Sequence, residues 1–307
     1  MTRPTVGLVL GAGSARGWSH IGVIRALEEM GVPIDVICGC SSGALVAASY
    51  AAGRLDLLQR LAETLTQAGM FRFLDLSFNK GGVIEGRWIA DFYRKNIGDI
   101  AIEDLEIPFG VVATEYKTGR EIWFRSGSLI DAVRASIAMP GILAPVNIDH
   151  RWMIDGAVVN PIPVTLCRSL GADIIIAVNT GGEPGVKDRL AVRTAPTEET
   201  PPASSWLSWL TTSFKGGAAP QPARPSYFEV LGDSIYTMQR FLTGIRLSTD
   251  PPDVLISPIL AEVSIMEWHK GKTSIAQGRL AVEAAKDRIT DCLGQDCLGQ
   301  DLSLIHI

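Results

Sequence analysis

Residues 34–46 have the sequence IDVICGCSSGALV, and this stretch decides the fold. Its apolar part, residues 34–40, predicts a buried strand, and the small residues over 43–52 predict a tightly packed helix. The two are joined by Gly39-Cys40-Ser41-Ser42-Gly43, which matches the pattern G-x-S-x-G. A sharp turn from a strand into a helix needs small residues two positions before and two positions after its tip, and glycines stand at both. We therefore predict a strand–turn–helix unit with Ser41 at its tip.

The residues on either side repeat this order of elements. Residues 5–10 predict a first buried strand, a glycine-rich loop follows, and residues 20–30 have the apolar spacing of an amphipathic helix. Further strands are predicted over 109–114, 121–125, 173–179 and 254–260, and further helices over 129–137, 227–248 and 273–290. Such an alternation favours a parallel sheet with helices on its faces. The predicted fold is α/β: a three-layer α/β/α sandwich with a mainly parallel central sheet.

Composition divides the chain into four segments. Residues 5–180 contain most of the alternating elements and form the predicted catalytic core. Residues 181–226 are rich in proline, glycine, serine, threonine and alanine, which predicts a flexible, lid-like insertion. Residues 227–290 are predicted to complete the domain with helices and a strand. Residues 291–307, in which DCLGQ occurs twice in tandem, predict a disordered tail.

The insertion contains an aromatic cluster, Trp206-Leu207-Ser208-Trp209-Leu210, with Phe214 beyond it. One interpretation is a lid or hairpin that docks on the body of the protein. The other is a contact with a lipid interface, because tryptophan prefers the boundary between membrane and water. The pattern leaves both open.

Ser41 is the predicted nucleophile. The glycine spacing selects it over Ser42, because only Ser41 lies midway between Gly39 and Gly43. It also precedes a predicted helix, whose N-terminal dipole favours developing negative charge.

Residues 11–17, GAGSARG, form a glycine-rich loop between the first strand and the first helix. One interpretation is a dinucleotide-binding turn. That turn needs an acidic residue at the end of the second strand, where this chain has Cys40 and Ser41. The glycines of this chain are spaced G-x-G-x-x-x-G, which differs from the G-x-G-x-x-G of a dinucleotide-binding turn. The other interpretation is an oxyanion hole, whose backbone N–H groups hold the negative oxygen of an ester under attack. A P-loop is excluded because no G-K-[ST] stands in this loop or directly after it.

A third motif, Asp155-Gly156-Ala157, places an acid where an apolar strand enters a glycine turn. By itself this is also a common turn sequence. A histidine base would complete a conventional triad, but none of the histidines stands in the setting of one. They are His20, His150, His269 and His306.

The three motifs, in this order, resemble the patatin-like phospholipase family, and most closely its bacterial RssA-like branch. The resemblance covers about residues 5–180 and is strongest in four stretches: GAGSARGWSHIGVIRALEE (11–29), GCSSGALV (39–46), RASIAMPGILAPV (134–146) and DGAVVNPIPV (155–164). It implies a patatin-like fold and a Ser–Asp dyad without histidine. Ser41 would attack the acyl carbonyl, and Asp155 would accept its proton and later activate water.

The resemblance also implies the remaining site residues. Amides near Gly13, Ser14 and Arg16 would hold the oxyanion, although Ala12 and Ser14 interrupt the three consecutive glycines that the family usually has. The full set of site residues is Ser41 and Asp155, the glycine loop with Gly11, Gly13, Ser14, Ala15 and Arg16, the elbow glycines Gly39 and Gly43, and the acid turn with Gly156 and Ala157.

Composition excludes several classes of protein. The net charge of −5 over 307 residues argues against nucleic acid as a partner. The five cysteines lack the ligand spacing of a zinc site and are predicted to be free thiols, so we expect no metal. The hydrolysis that the family resemblance implies needs no cofactor, and none is expected. No run of about 18 uncharged apolar residues predicts a transmembrane helix, and the N-terminus lacks a signal-peptide core. We expect a cytoplasmic protein, with peripheral contact to the inner face of the membrane left open.

The expected reaction is therefore hydrolysis of a carboxylic ester, with lipid acyl chains as substrates of a phospholipase or lysophospholipase type. The apolar residues of 206–214 and of Met139–Val146 are candidates to line an acyl site. Two alternatives stay open: a general carboxylesterase or thioesterase acting on soluble esters, and a non-catalytic, membrane-docking regulatory protein built on a hydrolase fold.

Overall fold

The computed structural model describes residues 3–67, 86–181 and 227–294. The chain divides into two compact units, one formed by residues 1–182 and 238–307 and the other by residues 183–237. Of the second unit, only residues 227–237 are described, and they form the first half of a helix. Within the described ranges, no helix combines the length and the apolar composition needed to cross a bilayer.

Eight strands and eight α-helices are formed by the described residues. The strands are β1 Val6–Leu10, β2 Val36–Cys40, β3 Phe109–Glu115, β4 Glu121–Phe124, β5 Val146–Ile148, β6 Arg151–Asp155, β7 Ile174–Val178 and β8 Val254–Ile256. The helices are α1 Ser19–Glu29, α2 Ser42–Ala51, α3 Leu55–Thr64, α4 Arg87–Asn96, α5 Leu129–Ser136, α6 Val164–Ser169, α7 Tyr227–Thr249 and α8 Gly271–Leu293. Single 3₁₀ turns occur at Ser14–Trp18, Ile102–Asp104, Gly156–Val158 and Trp268–Lys270.

The strands form one mixed sheet in the order β5-β6-β3-β2-β1-β7-β8, with β4 also paired to β3. The pairs β1–β2, β1–β7, β2–β3 and β7–β8 are parallel, so the predicted parallel sheet is confirmed for these five strands. The pairs β3–β4, β3–β6 and β5–β6 are antiparallel. This edge differs because β3–β4 and β5–β6 are joined by short turns, which only antiparallel strands allow.

Helices cover both faces of the sheet, which confirms the three-layer α/β prediction. Because side chains alternate along a strand, Leu8 of β1 packs with the layer of α1, α2, α3, α5 and α8, whereas the neighbouring Val9 packs on the other face. On that other face lie α6, with Leu166 and Cys167, and Leu247 of α7.

One edge of β3 is shared by two strands, and this sharing positions the site. Val112 of β3 pairs with Cys40 of β2, and the next residue, Ala113, pairs with Asp155 of β6. Val112 and Ala113 both also pair with β4, so β2 and β6 must lie on the side of β3 opposite β4. Strand β6 therefore continues along the edge where β2 stops, next to the turn at Ser41.

The element bounds differ from the predictions at a few places. The late strand, predicted over 254–260, ends at Ile256. The closing helix continues to Leu293, whose side chain is buried, so the first three residues of the predicted tail 291–307 belong to a packed helix. Helices α3, α4 and α6 were not predicted at all. Of the predicted lid-like insertion, residues 182–226 lie outside the described residues, as do residues 295–307 of the tail.

Candidate active site

Ser41 lies at the tip of the predicted strand–turn–helix unit, between the last residue of β2 and the first residue of α2. Its backbone has φ 55° and ψ −125°, a conformation with positive φ that costs free energy for any residue with a side chain. The glycines around it are needed for close packing. A Cβ atom at Gly39 would meet the backbone of Ala44, and one at Gly43 would meet the carbonyl oxygen of Leu10. The turn is thus held in a strained form by its surroundings.

Asp155 accepts a hydrogen bond from the Ser41 hydroxyl, with 2.7 Å between Ser41 Oγ and Asp155 Oδ2. Its other carboxylate oxygen, Oδ1, accepts from the backbone N–H of Ala157 at 2.8 Å. The backbone of Asp155 is fixed too, because its N–H donates to the Ala138 carbonyl and its carbonyl accepts from the Thr114 hydroxyl. The carboxylate therefore has little freedom to turn away from Ser41.

Burial controls the acidity of this carboxyl group. Asp155 is fully buried, and the loss of hydration raises its pKa from 3.8 to about 7. The hydrogen bonds from Ala157 and Ser41 stabilise the ionised form and oppose this rise. A carboxyl group with a pKa near neutral is matched to accepting and returning a proton at that pH.

Ser136, which belongs to none of the predicted site motifs, holds the amide of Ser41. The Ser41 N–H donates to Ser136 Oγ at 3.0 Å, and both residues are buried. Ser136 ends helix α5 within the stretch RASIAMPGILAPV. That stretch carries part of the family resemblance, but nothing in its local pattern points to this contact.

The glycine loop has two backbone amides available for an oxyanion. The amides of Gly11, Ala12 and Ala15 donate to the carbonyls of Val178, Pro161 and Ile265, respectively. Among the described residues, the amides of Gly13 and Ser14 have no hydrogen-bond acceptor. Ser14 also has a positive φ, of 51°. These two amides correspond to part of the predicted donor set.

The structure removes Arg16 from that donor set. Its amide donates to the carbonyl of Gly13, inside the loop. Its side chain is buried, and Nε donates to the carbonyl of Val263 at 2.8 Å. Together with the bond from Ala15 to Ile265, this contact ties the loop to residues 263–265, a support that the sequence analysis missed. Arg16 is therefore an anchor of the loop, since its amide and its Nε both donate to backbone carbonyls of the protein.

His20 lies beside the glycine loop rather than beside Ser41. Its Nε2 is 2.8 Å from the carbonyl oxygen of Gly11, so this nitrogen donates. Burial lowers its pKa to about 4, which keeps the ring neutral. His150 is exposed in the turn between β5 and β6, and His306 lies outside the described residues. In the described part of the chain, no histidine is hydrogen-bonded to Ser41 or Asp155.

The structure does not support the interpretation of the glycine-rich loop as a dinucleotide-binding turn. The second strand ends at Cys40, directly before Ser41, and the nearby acid, Asp35, precedes the first residue of that strand at its opposite end. There Asp35 accepts from the guanidinium of Arg3 at 2.5 and 2.6 Å and from the N–H of Val6. It is therefore committed to holding the N-terminal segment and is not available for a ribose.

Sequence comparisons relate the chain to a known protein family. A family model described as patatin-like phospholipase matches residues 8–168, just over half of the chain. Over 92% of its length, the chain is 35% identical to an uncharacterised NTE family protein of Mycobacterium tuberculosis, of which it covers 91%. It is 37% identical to part of a lysophospholipase of Aspergillus fumigatus and 35% identical to part of patatin-like phospholipase domain-containing protein 6 of Mus musculus. It covers only 12% and 14% of these two proteins, respectively.

Proposed function

This chain belongs to the patatin-like phospholipase family and is a lipid carboxylic ester hydrolase, and we propose that Ser41 is its nucleophile and Asp155 its general base. The observation that supports this assignment most directly is the 2.7 Å hydrogen bond between Ser41 Oγ and Asp155 Oδ2. The raised pKa of Asp155 gives the carboxyl group a basicity suited to the role.

The proposed reaction proceeds through an acyl-enzyme. Ser41 Oγ attacks the acyl carbonyl carbon while Asp155 takes the hydroxyl proton. The resulting oxyanion lies against the free amides of Gly13 and Ser14, and its collapse breaks the ester bond as Asp155 returns the proton to the leaving alcohol. Water then attacks the acyl-Ser41 ester, Asp155 takes one of its protons and passes it to Ser41 Oγ, and the fatty acid leaves.

The residues after α5 are proposed to contact the acyl chain. Asp155 N–H is bonded to the carbonyl of Ala138, so the following apolar residues begin directly beside the base. Of these, Met139, Ile142, Leu143 and Val146 are half-buried. Half-buried apolar side chains next to a reacting centre suit a hydrocarbon substrate. A comparison of short and long acyl esters on the purified protein tests this preference, and equal kcat/KM values across chain lengths would contradict it.

The pH dependence of hydrolysis follows from the pKa of Asp155. A general base acts only when ionised, so we expect kcat/KM to rise with pH and to level off above an apparent pKa near 7. The measurement is initial rates on an uncharged ester, whose own protonation does not change, between about pH 5 and 9. A profile that is flat across pH 6–8 would exclude Asp155 as a base with this pKa.

A peripheral contact with a lipid surface is also proposed, through one face of helix α7. From residue 238 to the end of the helix, the exposed side chains are uncharged, and the two arginines are half-buried. The exposed residues are Met238, Phe241, Ile245, Ser248 and Thr249. A face without exposed charge loses little hydration free energy against a bilayer, and the apolar side chains gain by insertion. The aromatic cluster at 206–214 lies outside the described residues.

Substituting Phe241 with glutamate is expected to weaken binding to vesicles of neutral phospholipid by about tenfold or more, because Phe241 is 73% exposed and would bring a charge to the interface. Hydrolysis of a soluble ester should stay within about twofold of wild type. A matched control is Leu280→Glu, since Leu280 is 60% exposed on α8, across the sheet. Co-sedimentation with vesicles makes the comparison, and equal effects of the two substitutions would refute the proposed face.

A further inference from the structure

Glu121 of β4 collects hydrogen bonds from three separate parts of the chain. Its Oε1 accepts from Asn160 Nδ2 at 2.8 Å and from Trp123 Nε1 at 2.6 Å. Its Oε2 accepts from Arg246 Nη2 of helix α7, also at 2.8 Å. A carboxylate with three donors is held in one place, so Glu121 is a fixed point on the sheet.

The same hydrogen-bond network also holds the turn that follows Asp155. The Arg246 guanidinium also donates to the carbonyl of Val159 at 3.0 Å, while the side chain of the next residue, Asn160, reaches Glu121. Arg246 and Glu121 therefore hold two adjacent residues of the turn: Val159 through its backbone carbonyl and Asn160 through its side chain.

Inside the turn, the bonds lead back to the base. The amides of Val159 and Asn160 both donate to the carbonyl of Gly156, at 3.1 and 2.9 Å. Within this closed loop, Ala157 supplies the N–H that holds Asp155 Oδ1. A shift of residues 159 and 160 would thus move the amide that orients the carboxylate.

Burial makes the network more than a surface ion pair. Asn160 is buried, the Glu121 side chain is 18% exposed, and the Arg246 side chain is 35% exposed. Removing one member leaves polar partners poorly hydrated and without a hydrogen bond, which costs more than the loss of an exposed pair. When the network is broken, the surrounding backbone is therefore expected to shift so that these polar groups regain hydrogen bonds or water.

We propose that Arg246 and Glu121 are positioning residues for Asp155, because their clamp on residues 159–160 fixes the turn that holds the carboxylate against Ser41. Neither residue touches the reacting atoms. The inference rests on the proposed function of Asp155 and adds a role for a helix far along the chain from the motif. Since misplacement by about 1 Å can cost up to a hundredfold in rate, loosening of this turn should appear in kcat.

The test compares Arg246→Met with Arg168→Met. Arg168 is a matched control because its guanidinium also pairs with a carboxylate, Asp250, and with a backbone carbonyl, that of Pro251, but its contacts do not involve the acid turn. With a soluble acyl ester, Arg246→Met should lower kcat about tenfold and leave KM within about twofold, whereas Arg168→Met should change neither by more than about twofold. Arg246→Lys should recover part of kcat, since a lysine reaches Glu121 but lacks the fork that also binds Val159.

A second readout does not depend on activity. Hydrogen exchange of the amides of residues 156–160 should accelerate about tenfold in Arg246→Met and remain unchanged in the control. If Arg246→Met does not fold, Glu121→Gln replaces it in both the kinetic and the hydrogen-exchange measurements, because this substitution keeps the shape of the side chain and removes its charge. A kcat loss no larger than that of the control, or unchanged exchange over 156–160, would overturn the positioning role. If the wild type itself turned over no ester, the proposed function would fail, and the exchange measurement would still decide whether the clamp exists.

Discussion

Replacing Ser41 with alanine is expected to lower kcat/KM for a long-chain acyl ester by at least about 10⁴-fold, because the attacking oxygen is removed. The donors around Gly13 and the acyl-binding residues stay in place, so binding of the ester should change little. The same substitution should abolish covalent labelling by a fluorophosphonate, which reacts with an activated serine. Activity assays and labelling of the purified protein, taken together, check this expectation.

The matched control is Ser42→Ala. Ser42 is the next residue, is also buried, and its hydroxyl has no hydrogen-bond partner among the described residues. Its loss should leave labelling intact and hydrolysis within about threefold of wild type. If the wild type were not labelled at all, the protein would be a binding protein on a hydrolase fold. Labelling that survives in Ser41→Ala would place the nucleophile elsewhere.

Asp155→Asn is expected to lower turnover by about 10³-fold or more while the fold is kept. Asparagine has the shape of aspartate and can still accept from Ala157, but it cannot take the proton of Ser41. The substitution should also stabilise the protein at alkaline pH. The folded state binds the carboxyl proton more tightly, with a pKa of about 7 against 3.8, so wild-type stability falls as pH rises between these values.

Thermal unfolding at pH 8 and at pH 4 separates the two effects. At pH 8, wild type buries an ionised carboxylate at a cost on the order of 4 kcal/mol that the asparagine variant avoids, so the variant should melt at a higher temperature. Near pH 4, the folded wild type is protonated, and the difference should shrink. Asp149→Asn is the control, because Asp149 is exposed in a turn with positive φ, which asparagine tolerates. Full activity of Asp155→Asn would mean that the Ser–Asp assignment is wrong.

The local geometry at Ser41 could be predicted from sequence because the pattern leaves few alternatives. A buried strand and a helix separated by a single residue need close backbone packing, and only small residues such as Gly39 and Gly43 permit it. The position of the acid turn at Asp155 was accessible for a similar reason. That the two side chains meet was expected from the family resemblance, since residues 114 apart leave no local trace of their contact.

The supporting residues could not be predicted, because each acts from a distant part of the chain. Ser136 is 95 residues from Ser41, and Val263 is 247 residues from Arg16. A serine that ends a helix or a carbonyl in an irregular segment has no distinctive spacing. The resemblance implies an amide donor at Arg16, and the structure differs because the loop continues into a 3₁₀ turn that uses this amide internally.

The shared edge of β3 makes the proposed machinery tolerant of one kind of sequence change and intolerant of another. Ser41 follows Cys40, which pairs with Val112 of β3, and Asp155 pairs with the next residue of β3, Ala113. The separation of the two side chains is therefore set by the pairing register of β2 and β6 on β3. Insertions in the exposed turn after β3 or in the turn between β5 and β6 lengthen the chain without changing this register, and a longer loop costs little free energy. A slip of β6 by one residue would instead put Ile154 or Gly156 at the rung of the acid. These turns can therefore vary in length during evolution without loss of the proposed active site, provided that the register of the five-residue strand β6 on β3 is kept.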